Sequence, residues 1–299
     1  MFLILTEKLT LDKKDYINSF LKKNKTENSE LTFTNLFMWR KSYNVEYAVI
    51  SDMLVIMSKH SGAPQVVYFP VGEGDFKKAL DEVIEYFNQK NVKFLLRISD
   101  EKDLIRLNEA YPEMFEAEED TDNNDYVYKA SDLSELKGKK YHAKRNFINR
   151  FKNKYNYTYE SMTPDMKDEC MELFKRWYEE KKDEVLGVEE HLEAVGEIFE
   201  NWENLDIKGG CIRVDGKMVA FSFGEELASE NKMAVIHLEH ADITYEGAFP
   251  MMNNAFVKNE WSDFEYINRE EDMGIEGLKK AKMSYQPEFL IEKYYLWEE

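Results

Sequence analysis

The densest chemistry in this sequence is the run Asn268-Arg269-Glu270-Glu271-Asp272, followed by Lys279, Lys282 and Tyr285. On an extended chain successive side chains alternate, so Asn268, Glu270 and Asp272 face one way and Arg269 and Glu271 the other. Carboxylates placed so can hold an ammonium group or take a proton from an attacking nucleophile. They serve equally to cap a helix starting near Ile275, where acids favour the positive end of the dipole. Lys282 could neutralise an oxygen that gains charge in a transition state. A second group is His237-Leu238-Glu239-His240. As a strand it sends His237 and Glu239 to one face and His240 to the other. Glu239 then serves as a base, as an anchor for an amine, or in a plain salt bridge, and the histidines show no third ligand for a metal. The third group is the stretch from Leu136 to Tyr159, which has no acid and contains Lys137, Lys139, Lys140, Lys144, Arg145, Arg150, Lys152 and Lys154. Arg grips phosphate through two parallel hydrogen bonds and Lys acts as a point charge. Lys140, Lys144, Arg145 and Asn149 recur at helical spacing, the pattern of a phosphate-binding face or of a solvated helix.

The elements that must position these residues follow from periodicity and turn signals. A helix is expected over residues 10–24. Strands 43–50 and 53–59 flank the tight Ser51-Asp52 turn, and a third strand covers 65–71. Residues 76–90 repeat apolar side chains at helical spacing, 92–98 read as a strand and 101–111 as a helix. Residues 116–125 are an acidic run and 126–129 a short strand. The charge switch that follows places a domain boundary near 132, giving units 1–131 and 132–299. Beyond it helices are expected over 164–182 and 191–205. Strands 210–214 and 217–225 flank Asp215-Gly216, whose residues suit the positive φ of a type I′ turn. A strand at 234–239, a helix at 247–261, a strand at 264–268, a helix at 275–283 and a final strand at 289–297 complete the second half.

The whole is an α/β chain of 299 residues in two mixed-sheet units with one element order. A net charge of −19 repels phosphate backbones, so no sequence-specific nucleic-acid binding is expected, although a local basic patch can still hold a phosphate. Two cysteines at no metal or disulfide spacing suit a reducing, cytoplasmic setting. The apolar start is too short to be a signal or a membrane span, so no stable membrane insertion is expected.

That element order resembles the GNAT acyltransferase fold. In that fold two neighbouring strands splay to admit an acyl donor whose phosphates rest on the N-terminus of the helix between them. The resemblance puts the splay between 234–239 and 264–268 and the helix start at Tyr245-Glu246-Gly247-Ala248. Its phosphate loop offers one glycine, Gly247, where two or three are usual. It also makes Tyr285, on the last helix, the group that protonates the departing atom; before Pro287 it fits a buried aromatic as well. The segments 138–151 and 268–287 are similar to signatures of a bacterial family of unknown function. Members of that family resemble the C-terminal aminoacyl-transfer domain of phosphatidylglycerol lysyltransferases and, more distantly, the Fem aminoacyltransferases.

The likeness implies tandem GNAT-like units and transfer of an aminoacyl group, with aminoacyl-tRNA or acyl-CoA as donor, an amine or hydroxyl as acceptor, and no firm cofactor. It implies catalytic roles among Glu239, Glu270, Asp272, Lys282 and Tyr285, and substrate or phosphate contacts among Lys144, Arg145, Asn146, Arg150, Gly247, Asn268 and Arg269. No nucleophile elbow, Walker loop or dinucleotide fingerprint is present, so direct transfer by proximity is the expected mechanism. The other reading is a non-catalytic protein of the same fold that binds an amino acid, nucleotide or peptide. The first half is expected to be a structural unit. Removing residues 1–131 should therefore expose apolar surface and give insoluble protein, and a folded, soluble 132–299 fragment would contradict that expectation.

Overall fold

Two tight turns set the main strand pairings. Ser51 and Asp52 take φ of 52° and 60°, and Asp215 and Gly216 take 49° and 83°. Each pair joins antiparallel strands, Glu46–Ile50 to Met53–Ser58 and Ile207–Val214 to Lys217–Glu226. The positive φ values match the twist of the flanking strands. The computed structural model describes residues 4–181, 188–227 and 230–298, so Lys182, the expected end of one helix, lies outside them.

The chain divides into two units. The first comprises Met1–Asp125, Glu271–Ile275 and Leu290–Glu299; the second comprises Tyr126–Glu270 and Glu276–Phe289. The first holds an eight-stranded sheet ordered Glu7–Lys8, Glu46–Ile50, Met53–Ser58, Gln65–Tyr68, Phe94–Ile98, Tyr294–Glu298, Phe115–Glu119, with Val71–Gly72 also on Met53–Ser58. Helix Phe76–Lys90 is capped by Asp75, whose carboxylate accepts from Lys78 N, and it buries Ala79, Leu80, Val83, Ile84 and Phe87. These pack with Met53, Val55 and Leu96 in one core.

Two sequence expectations changed here. The acidic run contains a strand, Phe115–Glu119, which pairs with Tyr294–Glu298 at the sheet edge. Four of its five residues are exposed, and charge on an edge strand discourages pairing with other chains. The expected last strand, 289–297, is two strands, Phe289–Ile291 and Tyr294–Glu298, which join different sheets. The break falls at Lys293, a fully buried cation 2.7 Å from Asp125, 3.3 Å from Glu30 and 3.8 Å from Glu271. Ser29 donates to Asp125 through both N–H and hydroxyl, and Arg97 pairs with Glu30 and Asp120. This cluster draws residues 271 and 293 into the first unit, where the sequence pointed to a single division near 132. Burial opposes the charge on Glu30, but Arg97 and Lys293 hold its carboxyl down at about 2.

The second unit's sheet runs Phe289–Ile291, Asp125–Lys129, Tyr266–Asn268, Met233–Ala241, Lys217–Glu226, Ile207–Val214, Tyr157–Ser161. Helix Ala248–Glu260 lays Met251, Met252, Ala255 and Phe256 on it, with Ile148 and Phe151 of helix His142–Lys154 in the same core. Strands Met233–Ala241 and Tyr266–Asn268 pair in parallel at three positions only, Met233 with Tyr266, Ala234 with Ile267 and Val235 with Asn268. The first strand then continues to Ala241 while the second ends, so the pairing opens where the resemblance implied a splay. No helix among the described residues is long and apolar enough to cross a membrane.

Removing one member of a buried ion pair strands its partner and typically costs about 3–5 kcal/mol. Lys293→Met should lower the unfolding free energy by about that much, measured by urea denaturation at pH 7. A loss below about 1 kcal/mol would show that the cluster does not hold the first unit together.

Candidate functional site

The open side of the splay starts at a β-bulge. Phe223 faces Leu238, but the next residue, Gly224, faces Ile236, so His237 is skipped. A Cβ on Gly224 would lie 2.1 Å from the Val235 carbonyl oxygen, so the bulge needs glycine there. Skipping one residue reverses the alternation. Glu239 therefore turns toward helix Ala248–Glu260 with Ala234, Ile236 and Ala241, while His237 reaches Glu225 and His240 packs on Phe174. The expectation that His237 and Glu239 share a face is corrected by this one extra residue.

On the helix side Glu239 is 10% exposed. It accepts from Asn253 Nδ2 at 3.0 Å and pairs with Arg269 Nη2 at 3.1 Å. Two buried atoms beside it have no hydrogen-bond partner, Asn253 Oδ1 and Arg269 Nη1. The Arg269 guanidinium lies 4.9 Å from the Tyr285 ring centre and 5.6 Å from that of Tyr128. Lys144, from helix His142–Lys154, sets its Nζ 3.9 Å over the same Tyr285 ring. Burial pushes the Lys144 ammonium down to about 8, and Arg269 adds to the effect. Burial also pushes the Tyr285 phenol up, with Arg269 opposing. The cluster thus holds an acceptor pair, Glu239 and Asn253 Oδ1, and a donor pair, Arg269 Nη1 and Lys144. It can bind a group that carries an ammonium next to a polarised carbonyl.

Behind the splay, His237 lies between two carboxylates, Nε2 3.0 Å from Glu225 and Nδ1 2.8 Å from Glu270. Burial alone would lower the imidazole, but the two carboxylates override it and hold it at about 10, so it is a cation at neutral pH. With both nitrogens donating, His237 has no lone pair for a metal. His240 is driven by burial to about 4 and is neutral.

Regular strand geometry stops at Asn268, so the expected alternation through Asp272 holds only that far. Glu270 takes φ of 56°, a region costly for a residue with a Cβ. Asn268 Oδ1 accepts from Glu270 N at 2.7 Å, and Lys282 Nζ donates to the carbonyls of Arg269 and Glu270 at 2.6 and 2.9 Å. Asn268, Glu270 and Lys282 therefore shape the turn that presents Arg269. Asp272 belongs to the first unit, where its carboxylate accepts from Gly274 N at 2.9 Å.

The basic helix is less available to phosphate than its composition promised. Arg145 donates to the carbonyls of Leu136 and Gly138. Asn146 contacts His142 at 3.4 Å, and Arg150 pairs with Glu246 at 2.6 Å. Gly247 is the N-cap of helix Ala248–Glu260 with φ of 89°. A Cβ there would lie 2.6 Å from the Phe147 carbonyl oxygen, so glycine allows two helices to approach, which accounts for it without a phosphate.

Residues 22–297 match the family described as phosphatidylglycerol lysyltransferase, C-terminal. The chain belongs to that family. It is 38% identical to a conserved protein of unknown function from Bacteroides thetaiotaomicron VPI-5482, covering 99% of this chain and 100% of that one, with a TM-score of 0.93. L-PGS from Bacillus licheniformis aligns over 98% of this chain and 93% of its own at 15% identity, TM-score 0.68. FemX aligns over 99% and 98% at 10% identity, TM-score 0.63. A tandem GNAT protein from the clavulanic acid biosynthesis pathway aligns over 99% and 97% at 8% identity, TM-score 0.52. These last three show a shared fold, two GNAT-like units in tandem. An uncharacterized protein of Mycoplasmoides gallisepticum is 22% identical over 174 residues, 58% of this chain and 55% of that protein, so the match spans about half of that curated relative.

For this member of the lysyltransferase C-terminal family, the structure gathers Lys144, Glu239, Arg269 and Tyr285 into one cluster. It puts Asn268, Glu270 and Lys282 into its support, and gives Arg145, Asn146, Arg150, Gly247 and Asp272 local contacts elsewhere. Sequence reading missed Asn253, Tyr128 and Glu225. Asn253 had a legible signal, an amide among the apolar residues Met251, Met252, Ala255 and Phe256 of an expected helix. Glu225 had a similar one, an acid closing the largely apolar run that begins at Met218.

A raised histidine contributes stability fully below its unfolded value near 6.5, and that contribution is lost as pH rises through about 10. His237→Gln should therefore destabilise the protein by about 3–5 kcal/mol at pH 6.5 and by clearly less at pH 10, measured by urea unfolding at both. A gap independent of pH would mean that His237 is neutral.

Proposed function

We propose that this protein transfers an aminoacyl group from aminoacyl-tRNA to an amine or hydroxyl acceptor, by direct attack in the splay of the second unit. The observation that carries this reading is the buried Glu239–Arg269 pair, flanked by the orphan atoms Arg269 Nη1 and Asn253 Oδ1. A buried polar atom without a partner costs roughly 1–3 kcal/mol, a cost that ligand binding would remove. An α-ammonium suits Glu239 and Asn253 Oδ1, and the acyl carbonyl suits Arg269. As the carbonyl becomes tetrahedral its oxygen gains charge, and a fixed cation stabilises that charge more than the ground state. Lys282 and Glu270 act through the shape of the Arg269 turn.

Two features favour aminoacyl-tRNA over acyl-CoA. Gly247 is packed against Phe147, and Glu246 sets a carboxylate at the helix start, bonded to Arg150. A pyrophosphate would meet that negative charge. FemX and L-PGS share the fold, and the family's description names lysyl transfer. A second reading, a protein that binds an aminoacyl group without moving it, is favoured by the internal bonding of Lys282 and Glu270.

Thermal unfolding with coenzyme A, with acetyl-coenzyme A and with bulk aminoacyl-tRNA separates the donors. A ligand at 100 times its Kd adds about 2.7 kcal/mol, and a rise with aminoacyl-tRNA alone is expected. Deacylation of that tRNA in the presence of hydroxylamine should be fast with wild type and fall about 100-fold or more with Glu239→Gln. Binding without turnover in wild type would establish the second reading. A shift with coenzyme A alone would overturn the choice of donor.

A further inference from the structure

General acid–base groups must change protonation near the working pH and must have somewhere to put the proton. In the cluster at the splay most ionisable groups are already committed. Glu239 is paired with Arg269 and bonded to Asn253. Glu270 is paired with the His237 imidazolium. Lys282 donates to two carbonyls, and Tyr285 is a phenol raised by burial.

Lys144 differs from all of them. Among the described residues it forms no ion pair, its side chain is half-buried, and its Nζ rests on the Tyr285 ring at 3.9 Å. The charged groups facing it are Arg269 and Glu239, and the Arg269 cation shares the same ring. On its own segment Lys140 is paired with Asp132, while Arg145 donates to the Leu136 and Gly138 carbonyls. Tyr141 fixes the platform by donating to the Tyr285 carbonyl at 3.0 Å. Partial burial, and the Arg269 guanidinium that shares the ring, destabilise the Lys144 ammonium more than the aromatic face and the more distant Glu239 steady it, in agreement with its value of about 8.

We propose that Lys144 is the catalytic base of the transfer: its neutral amine takes the proton of the attacking acceptor. The proposal rests on the transferase reading above. In the step, the acceptor nitrogen or oxygen forms a bond to the acyl carbon and its N–H or O–H proton passes to Lys144 Nζ. The tetrahedral intermediate then expels the ester oxygen of the donor. The ammonium of Lys144 returns one proton to that oxygen, directly or through water, so the leaving group departs as a hydroxyl. Lys144 ends neutral, and no oxidant, reductant or co-reactant is needed.

Two measurements on the full chain decide it. Competitive acetylation of the lysines with acetic anhydride, read by peptide mass spectrometry from pH 6 to 11, gives each amine its own titration. Lys144 should titrate with a midpoint near 8, well below exposed Lys139 and Lys152, and a curve that coincides with theirs overturns the proposal. The second measurement is hydroxylaminolysis of bulk aminoacyl-tRNA against pH. The wild-type rate should rise through the Lys144 midpoint. Lys144→Arg keeps the positive charge but cannot give up its proton, so it should lose that rise and fall about 100-fold or more at pH 9, with KM held. Circular dichroism and thermal unfolding confirm that the variant folds, and Lys144→Gln serves if it does not. An active wild type whose pH profile the variants leave unchanged overturns the role of Lys144. A wild type that turns over no donor although Lys144 titrates low overturns the transferase reading instead, and the base role with it.

Discussion

The mouth of the splay depends on how the chain leaves its strand after Asn268. The turn at Arg269 and Glu270 places a non-glycine residue at positive φ, and such a conformation persists only where its surroundings over-determine it. Here they do so three times: the Asn268 amide holds Glu270 N, the Lys282 ammonium holds two carbonyls, and the His237 imidazolium holds the Glu270 carboxylate. The second and third are charged or charge-assisted, and all three are partly sheltered from water, where such bonds are stronger. Arg269 emerges from this turn with a direction it could not keep on a free loop, and Glu239, Tyr285 and Lys144 arrange themselves around it.

The β-bulge at His237 acts in the same sense. One inserted residue divides the strand's polar groups between its faces, sending Glu239 to the side of helix Ala248–Glu260 and His237 to the other. The first becomes the polar centre of the site and the second a brace for the turn. Helix His142–Lys154 completes the site by a route its charge does not reveal. Its buried residues, Ile148 and Phe151, join the core, and Gly247 lets it approach closely enough for Lys144 to reach Tyr285. Arg145 and Arg150, the residues best suited to phosphate, are used to fasten local backbone and a neighbouring acid.

The first unit solves a separate problem with the same physics. Segments near residues 30, 97, 125, 271 and 293 are far apart in sequence, and a buried lysine joins them by pairing with three carboxylates. A buried cation is costly alone and far less so when paired, so the cluster specifies which segments belong together. Tyr294–Glu298 then takes its place between Phe94–Ile98 and Phe115–Glu119.

The sequence by itself determined the fold class, the hairpins at Ser51-Asp52 and Asp215-Gly216 and the helix at 76–90. Those features are written in local periodicity and turn chemistry, which act over a few residues. It also brought Lys144, Arg269 and Tyr285 into the candidate set through the two segments that carry the family resemblance, and Glu239 through the His237–His240 group. Only the tertiary structure decided which of the candidates meet. The bulge at His237 is invisible to a rule of alternation, because it is set by the close approach of Gly224 to the neighbouring strand. The engagement of Lys282, Glu270, Arg145 and Arg150 depends on partners from 7 to 96 positions away, and the break at Lys293 on carboxylates up to 263 positions away. Electrostatic pairing acts through space and needs proximity that local sequence does not encode. That is why the residue types were legible beforehand and their division into site and support was not.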